Sequence, residues 1–129
     1  MKRRRFLTIS ILSLTATIIT SCSLKSGPGA TVEEFHYAIE KGEIEAATNL
    51  FSNSVIESFG KDKIKAGMSQ AVRNLQDKQG IESIKIMEEE VTGEVAQVSY
   101  KITYGDATEE DNTAQLIKED GEWKIEPSK

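Results

Sequence analysis

The sequence predicts an α+β domain in which helices come first and an antiparallel sheet of about four strands follows. Three observations predict it. Apolar residues between Val32 and Leu75 recur at helical spacing. After Gly80 the period drops to two, most clearly where Ala96, Val98, Tyr100, Ile102 and Tyr104 alternate with Gln97, Ser99, Lys101 and Thr103. Asp120-Gly121 ahead of Glu122-Trp123-Lys124-Ile125 is a tight hairpin signal. Helices followed by a meander leave one sheet face covered and the other wet.

The elements follow in order. Thr31-Val32-Glu33-Glu34 has the form of a capping box, in which the Thr31 hydroxyl accepts the Glu34 N–H. Val32, Phe35, His36 and Ile39 carry the helix on to Lys41-Gly42, where a cation suits the negative end. Ile44, Ala47, Leu50 and Phe51 predict a second short helix. Ser54-Val55-Ile56-Glu57 reads as another capping box, opening one or two turns that Gly60 stops. Ile64, Met68, Ala71, Val72 and Leu75 predict a longer amphipathic helix, with Gly80 as its C-cap. Ile84 and Ile86 then alternate with charge in a first strand. Thr92-Gly93 turns into the Ala96–Tyr104 strand, Gly105-Asp106 opens a longer connection, and a third strand covers roughly residues 110–118. Asp120-Gly121 leads into the last strand, which Pro127 ends.

The chain before residue 31 reads differently. Arg3, Arg4 and Arg5 form a charged head, followed by Leu7, Ile9, Ile11, Leu12, Leu14, Ile18 and Ile19 in a run diluted by Ser and Thr. A spanning helix needs about 20 mainly apolar residues, and this run stops at about 14, so it suits a secretory leader. Ile19-Thr20-Ser21-Cys22 resembles the bacterial lipobox. That resemblance implies cleavage between Ser21 and Cys22, diacylglycerol on the Cys22 sulfur, and further acylation such as palmitate on the new amino group. Two or three acyl chains give a stable anchor where one is marginal. The expected organisation is a lipoprotein signal peptide over 1–21, a lipidated Cys and flexible tether over 22–30, and one domain over 31–127. The anchor places the chain in a bacterial cell envelope, outside the cytoplasm. Ser23, where an inner-membrane retention signal would have Asp, directs it to the outer membrane in a Gram-negative cell.

Length and charge bound the rest. The 129 residues allow one domain. Residues 1–21 hold four of the 16 basic residues and no acid, leaving 12 basic and 21 acidic residues beyond them, net −9. Nucleic-acid binding needs a basic stripe and is excluded as a class. An acidic domain is also repelled by anionic lipid, so no membrane contact beyond the anchor is expected. One Cys allows no disulfide within the chain, and one Cys with one His allows no Cys/His zinc site.

Several stretches carry a family resemblance. They are Gly27-Pro28, Thr31-Val32-Glu33-Glu34-Phe35, the run from Ala38 through Gly42 to Ala47, and Lys118-Glu119-Asp120-Gly121-Glu122-Trp123-Lys124-Ile125. Over about residues 27–126 the chain resembles the nuclear-transport-factor-2-like cone fold, similar in outline to cystatins. It resembles more closely a group of small bacterial lipoproteins on that fold with a domain of unknown function. The resemblance implies helices packed on a curved sheet. The cone fold usually has another strand between its early helices; none is read here, which leaves a shallow cone. Enzymes of this fold, isomerases and dehydratases, place an acid or base beside a Tyr inside the cone, whereas binding modules keep the interior apolar.

The candidate pocket residues are His36, Tyr100, Tyr104 and Trp123. His36 neighbours Phe35 and reads as a His at the helix rim; as a general base it would need a substrate and an orienting carboxylate. Tyr100 and Tyr104 share a face with Val98 and Ile102, as core residues with wet tips or as pocket donors. No Asp or Glu alternates onto that face of the same strand. Trp123 reads as packing in the closing hairpin. Glu88-Glu89-Glu90 and Glu109-Glu110-Asp111-Asn112 lack the turn spacing calcium requires and read as solvated strand ends that protect an edge. No phosphate loop, nucleophile elbow or paired metal ligands appear, so no cofactor is expected. The expected function is non-catalytic binding of an envelope protein or small ligand. The alternatives are a structural component that forms a homodimer through its sheet face, and a cone-fold enzyme acting on a small apolar substrate.

Overall fold

The computed structural model describes residues 27–127. Four helices precede four strands: α1 Pro28–Glu40, α2 Ile44–Thr48, α3 Asn53–Phe59, α4 Lys61–Asp77, β1 Ile81–Thr92, β2 Val95–Tyr104, β3 Glu109–Glu119 and β4 Glu122–Glu126. The sheet is an antiparallel meander in the order β1-β2-β3-β4. The predicted α+β class, helix-then-sheet order and strand number are those observed.

Helix α1 begins three residues before the expected domain start. Pro28 occupies its first turn, where the missing N–H is an orphan in any case and the fixed φ is already helical. Thr31 is therefore inside the helix, and the expected capping box does not form there. Its hydroxyl donates back to the Gly27 carbonyl at 3.4 Å. The helix has no side-chain cap from its own N-cap residue. Instead the Gly29 N–H donates to the Glu89 carboxylate of β1 at 2.6 Å. Glu89 is thus a helix cap delivered by the sheet, not merely a solvated charge. At the other end Gly42 takes a left-handed φ of 73°, and the Glu43 N–H returns to the Ala38 carbonyl at 2.8 Å.

The α3 cap is Ser52, two residues before the predicted Ser54. Its side chain accepts the Val55 N–H at 3.3 Å, and the residue is fully buried. The shift has a tertiary cause. Phe51 forms a parallel bridge with Ile125 of β4, and the Ser52 N–H donates to the Ile125 carbonyl, so the chain must turn there. That single-residue bridge is the one strand-like pairing among the described residues between α2 and α3. Gly60, φ 81°, ends α3 as expected. Helix α4 closes with Gln79 and Gly80 both left-handed and the Gly80 N–H on the Leu75 carbonyl at 2.8 Å.

In the sheet, β2 alternates as its sequence demands: Ala96, Val98, Tyr100, Ile102 and Tyr104 are all buried. With Val32, Leu116 and Ile125 they form the main core, against which Phe35, Leu50, Phe51 and Leu75 pack. Each fully buried Val, Leu or Ile contributes about 1.5–3 kcal/mol. A second cluster of Ala38, Ile39 and Ala47 joins α1 and α2 to Met68, Ala71, Val72 and Leu75 of α4. Register shifts in β1 between Ile81 and Ser83 and between Ile86 and Glu88 bend and twist the strand, the curvature a cone requires. The apolar face of β2 is covered by the chain's own helices. A second copy meeting the sheet would meet Gln97, Ser99, Lys101 and Thr103 instead.

Candidate functional site

The candidate residues are spread along the sheet. Near the middle of β2, α1 brings His36 over Tyr100. The His36 Nε2 and Tyr100 Oη atoms lie 2.9 Å apart, a bond in which Tyr100 donates when Nε2 is bare and accepts when Nε2 holds the proton. Phe35 sits edge-on to the His36 ring at 5.2 Å. Burial pulls the His36 pKa down to about 4, against the pull of the Glu110 charge. The imidazole is therefore neutral at pH 7. Burial first, and the Glu110 charge second, push Tyr100 up to about 12.

Four residues further along β2, the Tyr104 hydroxyl donates to Glu110 Oε2 at 3.1 Å. Lys78, from the end of α4, donates to the same oxygen at 3.4 Å and sits 4.2 Å from the centre of the Tyr104 ring. Tyr104 is raised to about 12, by burial first and then by its bond to Glu110. The Glu110 carboxyl is held below its ordinary range, first by a hydrogen bond from Asn112 and then by Tyr104 and Lys78.

Glu110, Asn112 and Lys78 are not legible as site residues in the acidic run read alone. Glu110 pairs with Ile102 and Asn112 with Tyr100, so both face inward. A signal was present: counting back by twos from the buried Leu116 gives Ala114, Asn112 and Glu110. Glu109 and Asp111 do behave as solvated charges, lying 3.7 and 3.9 Å from Lys101 on the outer face. Such exposed pairs contribute about 0–1 kcal/mol.

Trp123 does not join the other three. It pairs with Lys118, whose N–H donates to the Glu94 carbonyl, at the end of the sheet where β2 begins. The ring sits 5.7 Å from the Lys118 ammonium. It lines a cleft of about 500 Å³ with Gly27, Thr31, Leu50, Lys118 and Lys124. A second, shallower hollow of about 410 Å³ is lined by Met87, Ser99, Lys101 and Thr113 together with Tyr100, Asp111 and Asn112. Among the described residues no group of three or more His, Cys, Asp or Glu could hold a metal ion. No described helix is long and apolar enough to cross a membrane. Ser21 and Cys22 lie outside the described residues.

Chemically, the inner face holds a neutral His bonded to a protonated Tyr and, four residues on, a Tyr donating to an ion-paired carboxylate. All described buried side-chain polar atoms have hydrogen-bond partners.

Helices stacked on a bent four-strand meander form a nuclear-transport-factor-2-like fold. Solved structures agree on the fold. The chain is similar to a protein described provisionally as an NTF2-like transpeptidase from Campylobacter jejuni, with 17% identity, 78% of this chain and 97% of that chain covered, and a TM-score of 0.68. It is similar to a SEC-C motif containing protein from Rhodopseudomonas palustris, with 13% identity, coverage of 78% and 75%, and a TM-score of 0.58. It is also similar to a protein from Thiobacillus denitrificans, described provisionally as a calcium/calmodulin-dependent protein kinase type II association domain. There the identity is 15%, the coverage 78% and 90%, and the TM-score 0.53. At these identities the likeness is one of fold alone. Residues 20–126 match the model of a family described as a domain of unknown function, DUF4878, and the chain belongs to that family. Among curated proteins none matches the chain.

Proposed function

We propose that this protein is a bacterial envelope lipoprotein, held at a membrane by acylated Cys22, whose domain binds a protein or small ligand without catalysing a reaction. The observation that carries the anchor is Ile19-Thr20-Ser21-Cys22, with the sole Cys of the chain set where the apolar run ends. The binding reading is supported by the state of the inner polar residues. A general base works best with a pKa near the working pH. His36 lies near 4, and its Nε2 already faces Tyr100. The Glu110 carboxylate, whose side chain is 45% exposed, is ion-paired with Lys78 and held anionic. These groups satisfy one another and leave no proton-transfer pair poised near neutrality. The Lys78–Tyr104–Glu110 rim, polar and partly exposed, is the surface on which a partner finds donors, a cation and a carboxylate.

The anchor is tested by growing cells on labelled fatty acid. The native chain takes up label and fractionates with membranes; Cys22→Ala accumulates as unprocessed precursor without label, and label on that variant would overturn the anchor. Crosslinking in intact cells, read by mass spectrometry, tests the binding role. Crosslinks of Lys78 to one recurrent partner support it. A domain that turns over a small apolar carbonyl or hydroxyl substrate, with loss of turnover in Tyr104→Phe, would replace it with the enzymatic alternative.

A further inference from the structure

The cleft beside Trp123 lies where the chain enters the domain. Gly27, the N-cap residue of α1, lines it together with Gly121, Trp123 and Lys124. Only five peptide units separate Gly27 from Cys22. Fully extended, they reach at most about 18 Å. The domain is larger than that reach. β2 has ten residues, about 30 Å of strand, with the Trp123 level near its first residue and Tyr104 at its last. A domain of this size has a radius of gyration of about 13 Å. If the Tyr104 end faced the bilayer, Gly27 would stand further from it than the tether can span.

On the lipid-anchored reading above, we infer that the cleft end of the domain is its membrane-facing surface, meeting the zwitterionic headgroup layer, and that the Lys78–Tyr104–Glu110 end points away. The cleft suits that neighbour. Trp123 is a half-buried amphipathic ring, the side chain that settles at headgroup depth. The cleft carries two cations, Lys118 and Lys124, and two anions, Glu34 and Glu122; Lys124 already pairs with Glu122 at 3.4 Å, so the lining is close to charge-balanced, which suits a zwitterionic layer better than an anionic one. Glu119 and Asp120 in the adjoining hairpin make anionic lipid a poor match. The contact is therefore imposed by the short tether, not drawn by surface charge. On this reading the domain meets the membrane beyond its anchor, where net charge alone leads to the opposite expectation.

The test uses the full lipidated chain in vesicles of phosphatidylethanolamine and phosphatidylcholine with a sparse headgroup-labelled energy acceptor. Acylation blocks Cys22, so a donor dye on Glu122→Cys or on Asp106→Cys labels one end alone; both residues are exposed. Flotation with the vesicles reports the anchor separately, and a chain that does not float fails the lipoprotein reading itself. Among chains that float, transfer from position 122 exceeds transfer from position 106 severalfold. Equal transfer, or more from 106, overturns the orientation. Inserting about 20 Gly/Ser residues after Ser23, a coil of roughly 25 Å, collapses the difference. A difference that survives the longer tether shows that the tether does not set the orientation, and overturns it equally. Should Glu122→Cys fail to fold, Glu34→Cys, on the same cleft, takes its place.

Discussion

The Gly29 amide of the first helix and the Glu89 carboxylate of the first strand are 2.6 Å apart, and 60 residues separate them in the chain. The helix start thus takes its anionic cap from the sheet, at a terminus whose unpaired N–H groups favour negative charge. Glu89→Gln removes the charge and Glu89→Ala the acceptor as well. The expected loss for the Ala variant is about 0.5–2 kcal/mol, read as a lower urea midpoint with unchanged slope. Glu88→Gln, an exposed neighbour, stays within about 0.5 kcal/mol. Equal effects at the two positions would remove Glu89 from its capping role.

His36 makes stability pH-dependent. Its pKa is about 4 folded and 6.5 in the unfolded chain, so between those values the unfolded state binds more protons. Stability is therefore fully present above about pH 6.5 and falls as pH drops toward 4. A gap of this size corresponds to at most roughly 3 kcal/mol, less where water reaches the ring. Urea melts from pH 4 to 7.5 on the native chain and on His36→Phe isolate the effect, because the carboxylates titrate in both. The native curve should be the steeper by that amount.

Removing the Tyr100 hydroxyl leaves the partly buried His36 Nε2 without its partner. Tyr100→Phe is expected to cost about 1–3 kcal/mol, and the loss should shrink in the His36→Phe background. Strictly additive losses in the double variant would mean that the two rings do not interact.

The α3 cap offers a direct choice between two serines. Ser52→Ala is expected to cost about 0.5–2 kcal/mol, and Ser54→Ala, an exposed helical position, less than about 0.5 kcal/mol. Thermal melts of the two variants decide it.

Two glycines should respond in opposite directions. A Cβ on Gly105 would collide with the Gln79 backbone carbonyl, where the β2–β3 connection passes under the end of α4. Gly105→Ala is expected to lose about 1–3 kcal/mol. At Gly67, inside α4, a Cβ meets nothing within 4 Å, and Gly67→Ala should gain about 0.5–1 kcal/mol. Calorimetry on the pair checks both signs.

Much of the fold is legible in the sequence. The alternation from Ala96 to Tyr104 placed β2 and its buried face, and Asp120-Gly121, both left-handed at φ 50° and 79°, placed the last hairpin. Of the candidate residues legible in the sequence, His36 meets Tyr100 near the middle of β2, and Tyr104 meets Glu110 four residues further along. Glu110 and Asn112 were hidden because four polar residues in a row show no alternation of their own. Their facing is inherited from the register of β3 on β2. Trp123 cannot be separated from the tyrosines by sequence, which carries no distance along a sheet.

The sequence by itself determined the succession of helices and strands and which side of β2 is buried. Each of these is written in the spacing of residues a few positions apart, where one turn of helix or one pleat of strand decides the outcome. Tertiary structure alone decided where α1 and α3 begin, which acids turn inward, and that Gly27 lies at the Trp123 end of the sheet. Those features depend on contacts across dozens of residues: Glu89 reaching Gly29, Ile125 holding Ser52, and β3 registered on β2. They exist only once burial of the common core has fixed the elements against one another.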